Sequence, residues 1–217
     1  MQSKLAGIKT VKNACTKSDC RDVLSLMAAD EMKKVRAFHK SFPQYAQTPL
    51  VKLDALAAKL GVRAVYVKDE SYRFGLNAFK VLGGSFAMAK YIAKLIGCDV
   101  SEMTYERLTS KELRDQIGQV TFFTATDGNH GRGVAWAANK LGQKSVVYMP
   151  AGSTRTRLEN IRKEGSDASI IDGNYDDAVR MAAEAAEKVP NGVVVQDTAS
   201  GRLTSISFTK LSAGLKR

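Results

Sequence analysis

Residues 121–131, Thr121-Phe-Phe-Thr-Ala-Thr-Asp-Gly-Asn-His-Gly131, run from an apolar stretch through a glycine turn toward a helix. Thr121 to Thr126 has the β-branched and aromatic character of a strand, Gly128 supplies the turn, and a helix is predicted to open near Arg132. Three more strands follow at regular spacing, Ser145 to Met149, Ala168 to Ile171 and Val193 to Gln196, with helices near 132–141, 154–164 and 175–188 between them. Gly142 and Gly165 stand where left-handed C-caps belong, and Ser153 and Asn174 where N-caps belong. Repeated strand–helix–strand units imply right-handed crossovers and an open parallel sheet with helices on both faces, an α/β fold. Ligands of such sheets sit at the carboxyl ends of the strands, where Asp127 to Gly131 fall.

Working toward the N-terminus, Ser71-Tyr-Arg-Phe-Gly-Leu-Asn-Ala-Phe-Lys80 leads into Val-Leu-Gly-Gly84. A helix is predicted from Lys80 to about Ile96, with an apolar stripe of Phe79, Leu82, Phe86, Ala89, Ala93 and Ile96, and Gly97 ends it. Gly83, Gly84 and Ala87 share a face with Lys80 and are too small to fill the space beside it, so a flat ligand is expected there. Lys80 can be a snorkelling surface lysine. Its apolar and glycine neighbours favour the other reading, a desolvated amine of lowered pKa that reacts with a carbonyl. Before it, Thr48-Pro-Leu-Val-Lys-Leu reads as extended chain, Leu53 to Leu60 as a helix stopped by Gly61, and Val65 to Lys68 as a short strand. Lys68-Asp-Glu70 is a charge cluster at that strand's end. Asp99 to Gln119 reads as a polar connector, Trp136 and Tyr148 as core, and residues 1–30 as an arm packed on another subunit.

The chain has 217 residues, 44% of them apolar and 25% charged, which is globular composition. Nothing approaches the roughly 18 uncharged apolar residues of a membrane span, and the polar opening lacks a signal peptide's apolar core, so a cytoplasmic protein without membrane contact is expected. Cys15, Cys20 and Cys98 lack metal-ligand spacing and read as free thiols. The net charge of +11 is scattered among acids and not gathered into a block with aromatics, which argues against a nucleic-acid partner.

Ala78-Phe79-Lys80 together with Asp127-Gly128-Asn129-His130-Gly131 resembles the fold-type-II pyridoxal-phosphate enzymes. The longer match Arg73-Phe-Gly-Leu-Asn-Ala-Phe-Lys80, with an aspartate at position 127 where relatives usually carry serine, resembles the diaminopropionate ammonia-lyases within that group. The similarity runs from about Phe38 to about Ala199. It implies pyridoxal 5'-phosphate as cofactor, a small amino-acid substrate, a homodimer, and elimination of ammonia from 2,3-diaminopropionate to give pyruvate. Lys80 is then the covalent attachment point, Asp127 a proton acceptor opposite it, and Asn129 a partner of the cofactor's 3-hydroxyl. Gly128, Asn129 and His130 would receive the substrate carboxylate on their N–H groups. Asp127 also suits a turn or a helix N-cap, and His130 also suits a structural role.

A serine or threonine dehydratase is the neighbouring reading, expected to carry an uncharged residue at position 127. Residues 1–96 are expected to form the arm and the part of a large domain that bears the lysine helix, and 97–199 a small α/β domain. The segment 200–217, rich in serine and threonine, does not look like a continuation of the sheet. Because the resembled family carries about as much chain again beyond this point, a chain lacking the C-terminal half, including the phosphate-gripping loop, is expected. An inactive fragment is the third reading.

Overall fold

A computed structural model describes residues 28–197 and 205–207. The arm expected over residues 1–30 lies almost wholly outside these, as do Cys15 and Cys20; Cys98 is a half-buried free thiol whose pKa burial raises.

Helix α1, Ala29–Lys40, has acids in its first turn and His39 and Lys40 in its last, matching the helix dipole. It buries Phe38, and His39 is also buried, its Nε2–H donating to the Leu82 carbonyl at 2.9 Å. Strands β1, Leu50–Lys52, and β2, Tyr66–Lys68, pair antiparallel into a ribbon, with α2, Asp54–Leu60, between them ending on Gly61 at φ 66°. The six ribbon residues are all exposed. A 3-10 segment, Glu70–Gly75, kinks at Arg73 and Phe74 and leads to helix α3, Lys80–Ile96, which ends on Gly97 at φ 72° as expected.

The stripe on α3 is rotated from the expected one. Val81, Ser85, Met88, Ala89, Ile92 and Ala93 are buried, whereas Phe79 is 61% exposed, because the residue before the first helical turn projects away from the packed face. The polar connector 99–119 is not structureless. It folds into a 3-10 turn, Val100–Glu102, and the short helices α4, Tyr105–Thr109, and α5, Lys111–Ile117, whose N-caps Asp99, Thr104 and Ser110 each accept a backbone N–H.

The second part alternates as read: β3 Thr121–Ala125, α6 Asn129–Lys140, β4 Lys144–Met149, α7 Arg155–Lys163, β5 Asp167–Ile170, α8 Tyr175–Glu187 and β6 Gly192–Gln196. Two boundaries differ from expectation. Helix α6 starts at Asn129, three residues early, and the N-cap of α7 is Thr154, whose hydroxyl accepts the Arg157 N–H, one residue past the expected Ser153. Asn174 caps α8 with a full capping box to Asp177.

The strands form a parallel sheet of order β5-β4-β3-β6-β7. Its last member, β7, Ser205–Ser207, corrects the expectation that the serine-rich segment leaves the sheet: backbone pairing to β6 is open to any side chain.

Alternation along the strands sends Phe122, Val193 and Val195 into the core shared with α3 and α6, and Phe123 and Val194 against Ala182 and Ala186 of α8. The two faces are thereby covered by different helices. Helices α3 and α6 lie close because of Gly133, where a Cβ would stand 2.9 Å from the Val81 backbone. From β3 the chain steps outward through β4 to β5, then returns to add β6 and β7 on the other side. The order reverses between β3 and β6, and in sheets of this kind the ligand crevice belongs at that reversal, at the strands' carboxyl ends.

Candidate active site

Lys80 opens α3 at this crevice, and its Nζ donates to Asp197 Oδ2 at 2.8 Å. Asp197 follows β6 directly, so strand alternation puts it on the face of α3 and α6. The side chains of Lys80 and Asp197 keep 41% and 25% of their exposure. Sequence reasoning expected a desolvated amine of lowered pKa; instead the pKa is raised, first by the hydrogen bond that Lys80 donates to Asp197, with burial opposing and the charges of Asp197, Asp127 and Tyr175 adding to it. The expectation failed because the opposing carboxylate is distant in sequence. Burial pushes the Asp197 carboxyl up, but the hydrogen bond and the charge of the Lys80 ammonium bring it below its ordinary value.

The small residues beside Lys80 also serve a different end. Gly84 and Ala87 are buried, and a Cβ on Gly84 would lie 3.6 Å from Val134 of α6, so the face expected to hold a flat ligand holds a helix.

His130, in the first turn of α6, is 2% exposed. Its Nε2 lies 3.1 Å from the Val195 carbonyl, which can only accept, so the proton is on Nε2 and Nδ1 is bare. Nδ1 stands 4.0 Å from Asp197 Oδ2. Burial lowers the His130 pKa, which keeps the ring neutral.

Between β3 and α6, Thr126 does the work expected of Asp127. The Thr126 hydroxyl accepts the N–H of Gly128 at 2.9 Å and of Gly131 at 3.1 Å. Gly128 holds the N-cap position without any side-chain cap, so Asp127 is not the cap of α6. Asp127 and Asn129 are exposed, and the Asp127 carbonyl accepts from Arg157 Nη1 at 3.1 Å. Gly131 is required: a Cβ there would overlap Thr126 Cγ2 and lie 2.9 Å from Val147 Cγ1. The Gly128 N–H is thus already bonded, and the helix presents the Asn129 and His130 N–H groups, with the dipole behind them, to an anion.

The approach to Lys80 is held rigidly. Buried Arg73 donates through Nε to Glu70 Oε2 at 2.8 Å, through Nη2 to Glu70 Oε1 at 3.0 Å and Thr48 Oγ1 at 3.1 Å, and through Nη1 to Ala46 O at 3.1 Å. This clamp, with the Thr48 hydroxyl, brings the Glu70 pKa to about 2. Phe74 is left-handed at φ 51°, a costly position for an aromatic residue, and stacks on Trp136 of α6 with centroids 4.7 Å apart.

Lys80 and His130 thus converge on one carboxylate. Asp127 acts on Lys80 through its charge from the adjacent loop, and Asn129 lies beside it. Asp197, Thr126 and Gln196 were not found from the sequence. The signal for Asp197 was its place just past the carboxyl end of a strand; the hydroxyl and amide carried none. The crevice suits an aldehyde cofactor in that Lys80, half exposed, faces it, an acceptor for its proton is in contact, and free helix N–H groups stand nearby.

Residues 42–205 match the family of pyridoxal-phosphate dependent enzymes. The diaminopropionate ammonia-lyase of Salmonella typhimurium is 52% identical over 176 residues, which cover 81% of this chain and 43% of that protein. The enzyme of the same name from Escherichia coli K12 is 46% identical over 182 residues, covering 83% and 44%. Among solved structures, Escherichia coli diaminopropionate ammonia lyase in apo form superposes with a TM-score of 0.76 at 44% identity, covering 83% of this chain and 48% of that one. The same enzyme in complex with D-serine gives 0.74 at 45% identity, covering 81% and 44%. The chain spans less than half the length of these relatives.

Proposed function

Because the chain belongs to the pyridoxal-phosphate dependent enzymes, we propose that it acts as a diaminopropionate ammonia-lyase, converting 2,3-diaminopropionate and water to pyruvate and two molecules of ammonia. The observation that carries this reading is the meeting of Lys80, Asp197 and the Asp127–Asn129 turn at one crevice, in a chain 46–52% identical to enzymes of that name.

In this reading Lys80 holds pyridoxal 5'-phosphate through its amine. The cofactor, when bound, supplies an electron-withdrawing ring that stabilises negative charge at the substrate's α-carbon. The Lys80 ammonium must first lose a proton, and Asp197 Oδ2 at 2.8 Å is the acceptor in contact. The Lys80 amine, when not engaged by the cofactor, would remove the α-proton on its own side. Asp127, exposed on the loop, is available to do so on the other, so the two bases serve the two enantiomers. The N–H groups of Asn129 and His130 receive the substrate carboxylate, with that of Gly128 shared with Thr126. The Asn129 side chain would help hold the cofactor by hydrogen bonding. The same reading makes the protein a cytoplasmic homodimer with a small amino-acid substrate; among the described residues no helix is long and apolar enough to cross a membrane.

The test is pyruvate release by the purified chain with pyridoxal phosphate and each enantiomer of 2,3-diaminopropionate, with serine and threonine in parallel. Cofactor-dependent pyruvate from diaminopropionate is expected. Turnover of the hydroxyamino acids alone would favour the dehydratase reading, and bound cofactor without turnover of any of the four would overturn both.

A further inference from the structure

Backbone pairing between β3 and β6 runs through Phe123↔Val194 and then stops, although both strands continue. At the register position where Ala125 would face Gln196, the Gln196 side chain takes over. Its Oε1 accepts the Ala125 N–H at 3.1 Å and its Nε2 donates to the Ala125 carbonyl at 3.1 Å, as a neighbouring strand's peptide group would. The same amide accepts from Thr124 Oγ1 at 3.0 Å and donates to Tyr175 Oη at 2.8 Å. Gln196 is 1% exposed, and these four bonds fill its two donors and both acceptor sites, which also fixes which way the amide points. A side chain acting as a rung keeps the strands further apart than a backbone pair does. This happens at the point of strand-order reversal, one residue before Asp197.

We infer that Gln196 is a positioning residue: its amide wedges β3 from β6 and so sets where Asp197, and the Lys80 amine paired with it, stand. The inference rests on the proposed function for its purpose, not for its geometry. The charged and titratable groups facing Lys80 are Asp197 after β6, Asp127 after β3, Tyr175 on α8 and, through Asp197, His130 on α6. Of these, only Asp197 makes the ion pair to Nζ that Gln196 would govern.

Gln196→Met keeps the length and loses the amide. The measurement is the titration of the Lys80 amine in the cofactor-free chain, by acetic anhydride labelling across pH and mass spectrometry, alongside the melting temperature. In Gln196→Met the Lys80 midpoint should fall by about half to one pH unit, since a hydrogen bond to a charged group is weakened. Thr124→Val, isosteric and bound to the same oxygen, should give a smaller fall and remains readable if Gln196→Met does not fold. Val193→Ala, a core truncation on the same strand, should lower the melting temperature and leave the midpoint in place. A Lys80 midpoint unchanged in both Gln196→Met and Thr124→Val would overturn the inference, whatever happens to melting. Borohydride trapping of pyridoxal phosphate on the parent chain is scored separately: its failure would count against the proposed function and leave the titration result standing.

Discussion

Lys80 and Asp197, 117 positions apart, form one ion pair with Nζ and Oδ2 at 2.8 Å. It joins the first residue of a helix to the first residue past a strand, across the place where the strand order reverses. The raised Lys80 pKa means its contribution to stability is complete below the ordinary lysine value near 10.5 and fades as pH climbs above it. The depressed Asp197 pKa means its contribution is complete above the ordinary aspartate value near 3.8 and fades below it. The pair therefore persists across neutral pH, and the cofactor must compete with it for the amine.

Lys80→Ala should abolish covalent capture of pyridoxal phosphate, read as borohydride-reduced cofactor on the protein. Lys90 and Lys94 lie further along α3, away from its crevice end, so capture at the parent level would refute the assignment. Asp197→Asn should retain capture and shift its pH dependence downward.

Acid sensitivity should trace to Glu70. Its pKa of about 2 lies below the ordinary value of 4.5, so the stability it confers is present above about 4.5 and is lost as pH falls toward 2. The loss should be on the order of 2 kcal/mol, after allowance for partial exposure. Urea unfolding at a series of pH values should show a drop over that window. Glu70→Gln should flatten the drop while lowering stability at pH 7.

Two glycines that look alike in sequence should behave oppositely. Gly133→Ala places a Cβ 2.9 Å from the Val81 Cα and N, atoms of the residue next to Lys80, and should destabilise by about 1–3 kcal/mol. Gly84→Ala meets only Val134 Cγ2 at 3.6 Å and should be neutral or stabilising by up to about 1 kcal/mol through helix propensity. Thermal melts of the two variants decide.

Asp127→Asn keeps the size of the side chain and removes its basicity. Because Gly128 and Thr126 manage the start of α6, the fold should be unaffected. Turnover of D-2,3-diaminopropionate should fall by about 10²- to 10⁴-fold, with the L-enantiomer largely spared through Lys80. Equal losses on both enantiomers would give Asp127 a positioning role or one in protonating the leaving amine.

The alternating strands and helices, the glycine C-caps at Gly61 and Gly97, and the placing of Lys80 and the Asp127 turn at element ends were all legible in the sequence. Each follows from local rules: hydrophobic period, cap chemistry and the conformational freedom of glycine. The N-cap shift from Ser153 to Thr154 and the early start of α6 mark the limit of those rules, since either neighbour could have served and packing chose. What only the tertiary structure decided is what faces what. The carboxylate that raises the Lys80 pKa comes from the end of a strand 117 positions further along the chain. Gly84 makes room for a helix and not a ligand, and Gln196 spends its amide on a strand distant in sequence. Charge state and strand spacing depend on distances through space, and a one-dimensional pattern carries those only after the sheet has set its strand order.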